Sequence, residues 1–205
     1  MLFPDNAPPI IAILRGITPA EVLDVAEALW QAGVRGMEVP LNSPAALESI
    51  TLLSARFKNP CLCGAGTVLR AAAVDEVKAA GGRLIVTPNV DAAVIRRAVD
   101  LDLIVVPGFA TATEAFQAID AGATTLKLFP AATYGPHHLR AVREVLPAGV
   151  KILAVGGVSA ATLAPWVAAG IDGFGIGGEI YRPCSTPEEA AQRAKLIIAT
   201  LSTAN

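Results

Sequence analysis

The chain has 205 residues, a formal net charge of −2, and 53% hydrophobic against 17% charged side chains. With no basic stripe or cluster, nucleic acid is excluded as the expected partner. Mean hydropathy is high at +0.53, but the early apolar stretch 10–14 is far too short to cross a bilayer. Residues 1–5 lack the basic region of an export signal, so a cytoplasmic protein is expected.

The first β-branched run, 11–14, reads as a strand leading into Arg15-Gly16. A helix over 19–32 follows. Thr18-Pro19-Ala20-Glu21 opens it with an N-cap threonine, a first-turn proline and a glutamate three residues after the cap. Gly33 would end it in a left-handed turn, as would Gly81, Gly122 and Gly170 after later helices. Strand 34–39 and helix 44–57 come next, then strand 61–65. Strand alternation points Cys61 and Cys63 the same way, and the pair reads as buried, reduced and apolar in character rather than redox-active. Together with Cys184 the cysteines have no zinc-like spacing.

Helix 71–80, strand 84–86, helix 91–100 and strand 103–106 continue the alternation. Helix 111–121 starts at a capping box, Thr111-Ala112-Thr113-Glu114. Strand 124–129 precedes helix 136–146, and strand 151–155 precedes helix 160–169. Strand 173–176 leads to helix 187–202, opened by Thr186-Pro187-Glu188-Glu189. No linker or composition break interrupts the series. Eight βα units in this length predict an α/β fold, a single-domain (β/α)8 TIM barrel over residues 1–205. A doubly wound sheet would carry a glycine-rich turn after its first strand, and that turn is Arg15-Gly16-Ile17-Thr18. The glycines of 173–178 come in the last unit without a downstream acidic residue, so they are no dinucleotide fingerprint.

Barrel active sites form at the C-terminal ends of the strands. Those ends carry Arg15, Glu38, Thr67, Pro88-Asn89, Pro107-Gly108, Lys127, Gly156-Gly157 and Gly177-Gly178. Lys127 is the informative one, because Thr124-Thr125-Leu126-Lys127-Leu128-Phe129-Pro130 is otherwise uncharged. A buried amine loses its proton more easily and becomes a nucleophile able to form a Schiff base with a carbonyl. Alternation puts Gly36 with Glu38, and Lys127 with Phe129, each pair on one side of its strand. If that side is the lumen, carboxylate and amine can meet. A structural ion pair is the competing account, but a chain this poor in charge has little reason to keep one there, which favours chemistry. Likewise Arg15 could be a solvated loop residue, Thr67 a helix N-cap, and each late glycine pair a tight turn. Both glycine pairs together favour a phosphate site, because they fall where barrels bind phosphate through backbone N–H groups. His137 and His138 would point about 100° apart on a helix, unlike a metal pair, and an exposed helix start accounts for them. Neither a metal nor an organic cofactor is expected.

Ile13-Leu14-Arg15-Gly16, Met37-Glu38-Val39-Pro40, Gly64-Ala65-Gly66-Thr67-Val68, Val86-Thr87-Pro88-Asn89, Leu126-Lys127-Leu128-Phe129-Pro130 and Val155-Gly156-Gly157-Val158 run in this order along the chain. In them the chain resembles the bacterial 2-keto-3-deoxy-6-phosphogluconate and -galactonate aldolases, essentially from end to end. The resemblance implies a Schiff base on Lys127 and Glu38 as general acid/base. Arg15 and Thr67 would hold the substrate's carboxylate end, Pro88 and Phe129 would line the pocket, and Gly156, Gly157, Gly177 and Gly178 would receive the phosphate. Asn42 and Val155 stand where the gluconate branch typically has an arginine and a threonine, so the galactonate branch is the nearer match. Gly178 departs from a phosphate-binding serine found in many relatives, which leaves phosphate to backbone donors alone. The implied partners are a phosphorylated keto-deoxy sugar acid and pyruvate, and the implied assembly is a homotrimer.

Three other readings make distinct expectations. A gluconate-series or dual-epimer aldolase would act on the other epimer. A proton-transfer isomerase would trap no imine, and a non-catalytic sugar-phosphate-binding barrel would bind without turnover.

Overall fold

Strands this short and this apolar must be covered on both faces, which a closing parallel sheet achieves with helices outside and its own side chains inside. The computed structural model describes residues 3, 7–57 and 61–204. Apart from Phe3, the segment 1–5 read for an export signal lies outside them. The strands are β1 (Ile10–Ile13), β2 (Gly36–Pro40), β3 (Leu62–Gly66), β4 (Leu84–Val86), β5 (Ile104–Val106), β6 (Gly108–Phe109), β7 (Thr125–Leu128), β8 (Lys151–Val155) and β9 (Gly173–Ile176). They form one parallel sheet in the order β5-β4-β3-β2-β1-β9-β8-β7-β6.

The predicted fifth strand, 103–106, is longer than expected and comes in two pieces. β5 pairs with β4, while β6 pairs with β7. Pro107 lies between them and has no N–H to donate, but its carbonyl accepts from Lys127 N at 2.8 Å. One stretch of chain thus joins both ends of the sheet, and the result is a TIM-barrel-like α/β fold.

The helices α1 (Pro19–Gln31), α2 (Ala46–Arg56), α3 (Ala71–Ala79), α4 (Ala92–Asp100), α5 (Ala112–Asp120), α6 (Ala131–Arg143), α7 (Leu163–Ala168) and α8 (Pro187–Ala204) surround it. Helical spacing decides what they bury: Val22, Val25, Ala26 and Leu29 on α1, and Ala190, Ala194, Ile197 and Leu201 on α8. Ile11, Leu62, Leu84, Val86, Val106, Leu153 and Val155 form a second cluster filling the lumen. Among the described residues no helix is long and apolar enough to cross a membrane.

Several local expectations need correction. Val34 and Arg35 precede β2, and Arg35 instead lays its guanidinium 3.7 Å over the Trp30 ring. Cys61 precedes β3, but it and Cys63 are buried and free, with sulfurs 3.7 Å apart. Helix 136–146 is part of α6, which begins at Ala131, breaks at Gly135 (φ 74°) ahead of Pro136 and stops at Arg143. Segment 160–169 is a 3-10 turn, Ala160–Thr162, followed by α7.

Capping boxes form at Thr111 and Thr186. None forms at Thr18. That residue is the N-cap by position, but its hydroxyl donates to Glu21 Oε2 at 2.7 Å, and Glu21 also accepts from the distant Tyr181 hydroxyl. Asp91, not singled out beforehand, caps α4 by accepting from Ala93 N at 2.8 Å and Val94 N at 3.2 Å.

Candidate active site

Lys127 sits on β7, a strand bonded on both sides, with Gly108 and Leu153 as its register partners. That pairing faces it into the lumen. It is 6% exposed, and its Nζ lies 4.7 Å from the centre of the Phe129 ring. Glu38 is on β2, 3% exposed, in register with Ile13 and Gly64. Both also line a small inner cavity with Ile11, Val86, Val106 and Leu153 beneath them.

They do not form the structural ion pair. No contact within 4.0 Å joins the amine to the carboxylate among the described residues, and Glu38 Oε2 has no hydrogen-bond partner at all. An orphaned buried carboxylate oxygen is costly to keep, and here it faces a cavity. Burial is the main electrostatic influence on both groups. It pushes the Glu38 carboxyl up to about 7, with Lys127 and Arg15 offsetting part of the rise. It pushes the Lys127 amine down to about 8, with Glu38 holding it up and Arg15 pressing it further down.

A glycine makes this carboxylate position possible. A Cβ on Gly66 would stand 1.9 Å from Glu38 Oε2. Gly66→Ala should therefore displace Glu38 by an ångström or more, and displacement of that size costs about 10²-fold in turnover. Steady-state kinetics of that variant check this; an unchanged kcat would show that the carboxylate's placement is immaterial.

Above the inner cavity opens a cleft of ≈ 650 Å³. The structure brings Arg15, Glu38, Thr67, Pro88, Lys127, Phe129, Val155, Gly156, Gly157, Gly177 and Gly178 to it, whereas Asn89, Pro107 and Gly108, also at strand ends, do not line it. Thr67 is not a helix N-cap. That place belongs to Arg70, and Thr67 adopts φ 55° at the cleft wall, a conformation uncommon for a β-branched residue. Arg15 is exposed but held, donating from Nη1 to Asn42 Oδ1 at 2.9 Å. The next residue, Gly16, donates from its N–H to Ser43 Oγ at 2.9 Å. Pro88 is fixed from below by buried Thr87, whose hydroxyl bonds the Asn89 carbonyl.

Gly156 and Gly157 have φ of 94° and 74°. A Cβ on Gly157 would come within 2.5 Å of Ala132 Cβ, so this turn admits only backbone near the cleft. The histidines lie away from it. His137 is exposed, but His138 is half-buried, with Nε2 2.6 Å from the Ala110 carbonyl oxygen and its ring against Tyr134. Among the described residues, no group of three metal-ligating side chains exists.

The cleft has further walls that were not predicted: Ile13, Gly16, Val158, Ser159, Gly175, Glu179, Tyr181, Arg182 and Pro183. The available signal was that two charges in a charge-poor chain come soon after Gly177-Gly178, Glu179 directly and Arg182 beyond Ile180-Tyr181.

A parallel barrel with an amine and a carboxylate buried together at its mouth suits carbon–carbon lyase chemistry, and its relatives place the chain among the carbon–carbon lyases. Residues 6–195 match the KDPG and KHG aldolase family, and the chain belongs to that family. It is 46% identical over 190 residues to the 2-dehydro-3-deoxy-6-phosphogalactonate aldolase of Escherichia coli (strain K12), covering 93% of each chain. The native KDPGal structure superposes with a TM-score of 0.95 at 44% identity and 98% coverage of both chains. A KDPG aldolase from Legionella pneumophila, solved with pyruvate captured as a covalent carbinolamine intermediate, matches with a TM-score of 0.80 at 28% identity, covering 97% of this chain and 95% of that one.

Proposed function

We propose that this chain is a class I aldolase that reversibly cleaves 2-dehydro-3-deoxy-6-phosphogalactonate into pyruvate and D-glyceraldehyde 3-phosphate. One observation carries the chemistry: a buried Lys127 amine, pushed down to about 8, shares a cavity with an unpartnered Glu38 oxygen without touching it. A contact ion pair would keep the amine protonated, whereas this separation leaves room for a carbonyl carbon or a water.

Neutral Lys127 attacks the C2 ketone, and loss of water gives an iminium. Glu38, through a water, takes the C4 hydroxyl proton. The C3–C4 bond breaks, its electrons pass into the iminium, and an enamine remains. The aldehyde departs, C3 is protonated, and hydrolysis frees pyruvate and restores the amine. Arg15 and Thr67 hold the carboxylate, Pro88 and Phe129 wall the reacting carbons, and the glycine pairs at 156–157 and 177–178 receive the phosphate. No metal or organic cofactor enters this route.

Val155, apolar at the end of β8, and the 46% identity to a galactonate-series enzyme support that epimer over the gluconate one. The whole chain acts as one barrel unit in the cytoplasm. The apolar composition and the family likeness support assembly into a homotrimer; sedimentation of a 21.0 kDa monomer would refute it.

Incubation with pyruvate and borohydride is expected to leave a reduced adduct on Lys127 alone, located by mass spectrometry. No adduct, or one on Lys78 or Lys151, would overturn the mechanism. Side-by-side rates on the two phosphorylated epimers decide the substrate: a faster gluconate-series reaction reverses the assignment.

A further inference from the structure

We propose that Arg182 is the phosphate-recognising cation of the cleft, held by Glu179 until substrate arrives. This rests on the phosphorylated substrate class proposed above. Such a substrate carries an anion at each end, and the cleft wall carries two arginines. Arg15 weighs electrostatically on both Glu38 and Lys127, so its charge belongs to the reacting end. Arg182 stands on the loop after β9, beside the glycines.

The geometry is that of a side chain anchored at its neck with a free head. Arg182 Nε donates to the Gly178 carbonyl at 2.7 Å, which ties the guanidinium to the Gly177-Gly178 turn. Its Nη2 lies 3.6 Å from Glu179 Oε1, a loose contact between side chains 61% and 50% exposed. Exposed pairs of this kind contribute little and exchange readily. A phosphate dianion brings more charge than a carboxylate and accepts the guanidinium fork through two parallel bonds. It can therefore displace Glu179 while the Nε anchor stays in place.

The surroundings fix the loop that carries this residue. Buried Tyr181 donates its hydroxyl to Glu21 on α1, immediately before Arg182 in the chain. On its other side Pro183 packs so closely on Gly16 that a Cβ there would lie 2.9 Å from the proline ring. A Cβ on Gly178 would point to within 4.0 Å of Arg182 Nε, so the space a serine would occupy is next to the guanidinium. Glycine leaves that space open to the arginine and to the anion.

The test is the ratio of kcat/KM for pyruvate condensation with D-glyceraldehyde 3-phosphate to that with unphosphorylated D-glyceraldehyde. Arg182→Gln is expected to lower this ratio at least tenfold, chiefly through the KM of the phosphorylated aldehyde. Arg182→Lys should recover part of it, and Glu179→Gln should raise it several-fold by freeing the arginine. A ratio unchanged in Arg182→Gln, or an equal loss on both aldehydes, overturns the assignment. Deuterium exchange at the pyruvate methyl group, measured in the unaltered protein, reports enamine formation without any phosphate. Exchange with an unchanged ratio removes Arg182 alone, whereas no exchange removes the aldolase reaction on which the proposal stands.

Discussion

Lys127→Met is expected to abolish aldol cleavage, lowering kcat at least about 10⁴-fold, because the covalent route has no other nucleophile. Methionine keeps the apolar stem against Phe129 and Leu153 and removes only the amine. The thermal midpoint should therefore not fall, and burial of one fewer charge favours a slight rise. Borohydride and pyruvate should leave no adduct. Substantial residual turnover by a protein with an unaltered melting profile would place the nucleophile elsewhere.

The same residue sets a pH dependence. Attack needs the neutral amine, which exists above its pKa. With that value pushed down to about 8 by burial, the trapping rate should climb as pH rises through about 8 and then level off. An exposed lysine would keep climbing towards about 10.4. A plateau only above pH 10 would mean that the amine is not perturbed as its burial requires.

Glu38→Gln separates proton transfer from covalent chemistry. Turnover should fall by about 10²–10⁴-fold, the usual worth of a positioned general acid/base, while the adduct on Lys127 still forms on prolonged incubation. The trapping profile should also move to lower pH, because the Glu38 charge helps hold the Lys127 ammonium in place. A glutamine variant that cleaves substrate normally would remove the carboxylate from the mechanism. One that turns over slowly with an unshifted profile would mean that the two groups do not sense each other across the cavity.

The proposed reacting pair was legible because charge in an apolar strand is conspicuous, and strand alternation gives the neighbours that share its side. Lys127 is the one charge in its run and Glu38 is flanked by Gly36-Met37 and Val39-Pro40, and the barrel's strand-end rule brings most of the remaining candidates to one rim. Loop residues offer no such periodicity. Glu179, Tyr181 and Arg182 follow the last strand in a segment where spacing says nothing about direction, so the sequence marks two charges there without saying that they face the cleft. Glu21 shows the same limit differently. Its sequence context suits a capping box, but the Tyr181 hydroxyl, 160 residues away, claims the carboxylate. The two-piece fifth strand follows from Pro107, whose missing N–H interrupts the ladder, while the preceding β-branched run gives no hint that pairing resumes beyond it.

The amine and carboxylate stand on strands bonded along both edges, while the proposed site for the distal anion is a turn and a loop. Acceptor range and bond-making machinery are therefore mounted on mechanically separate parts. Re-engineering residues 178–183 for aldehydes bearing sulfate, carboxylate or no anion should leave the nucleophile's reactivity intact, which makes that loop the place to begin when adapting this barrel to new carbon skeletons.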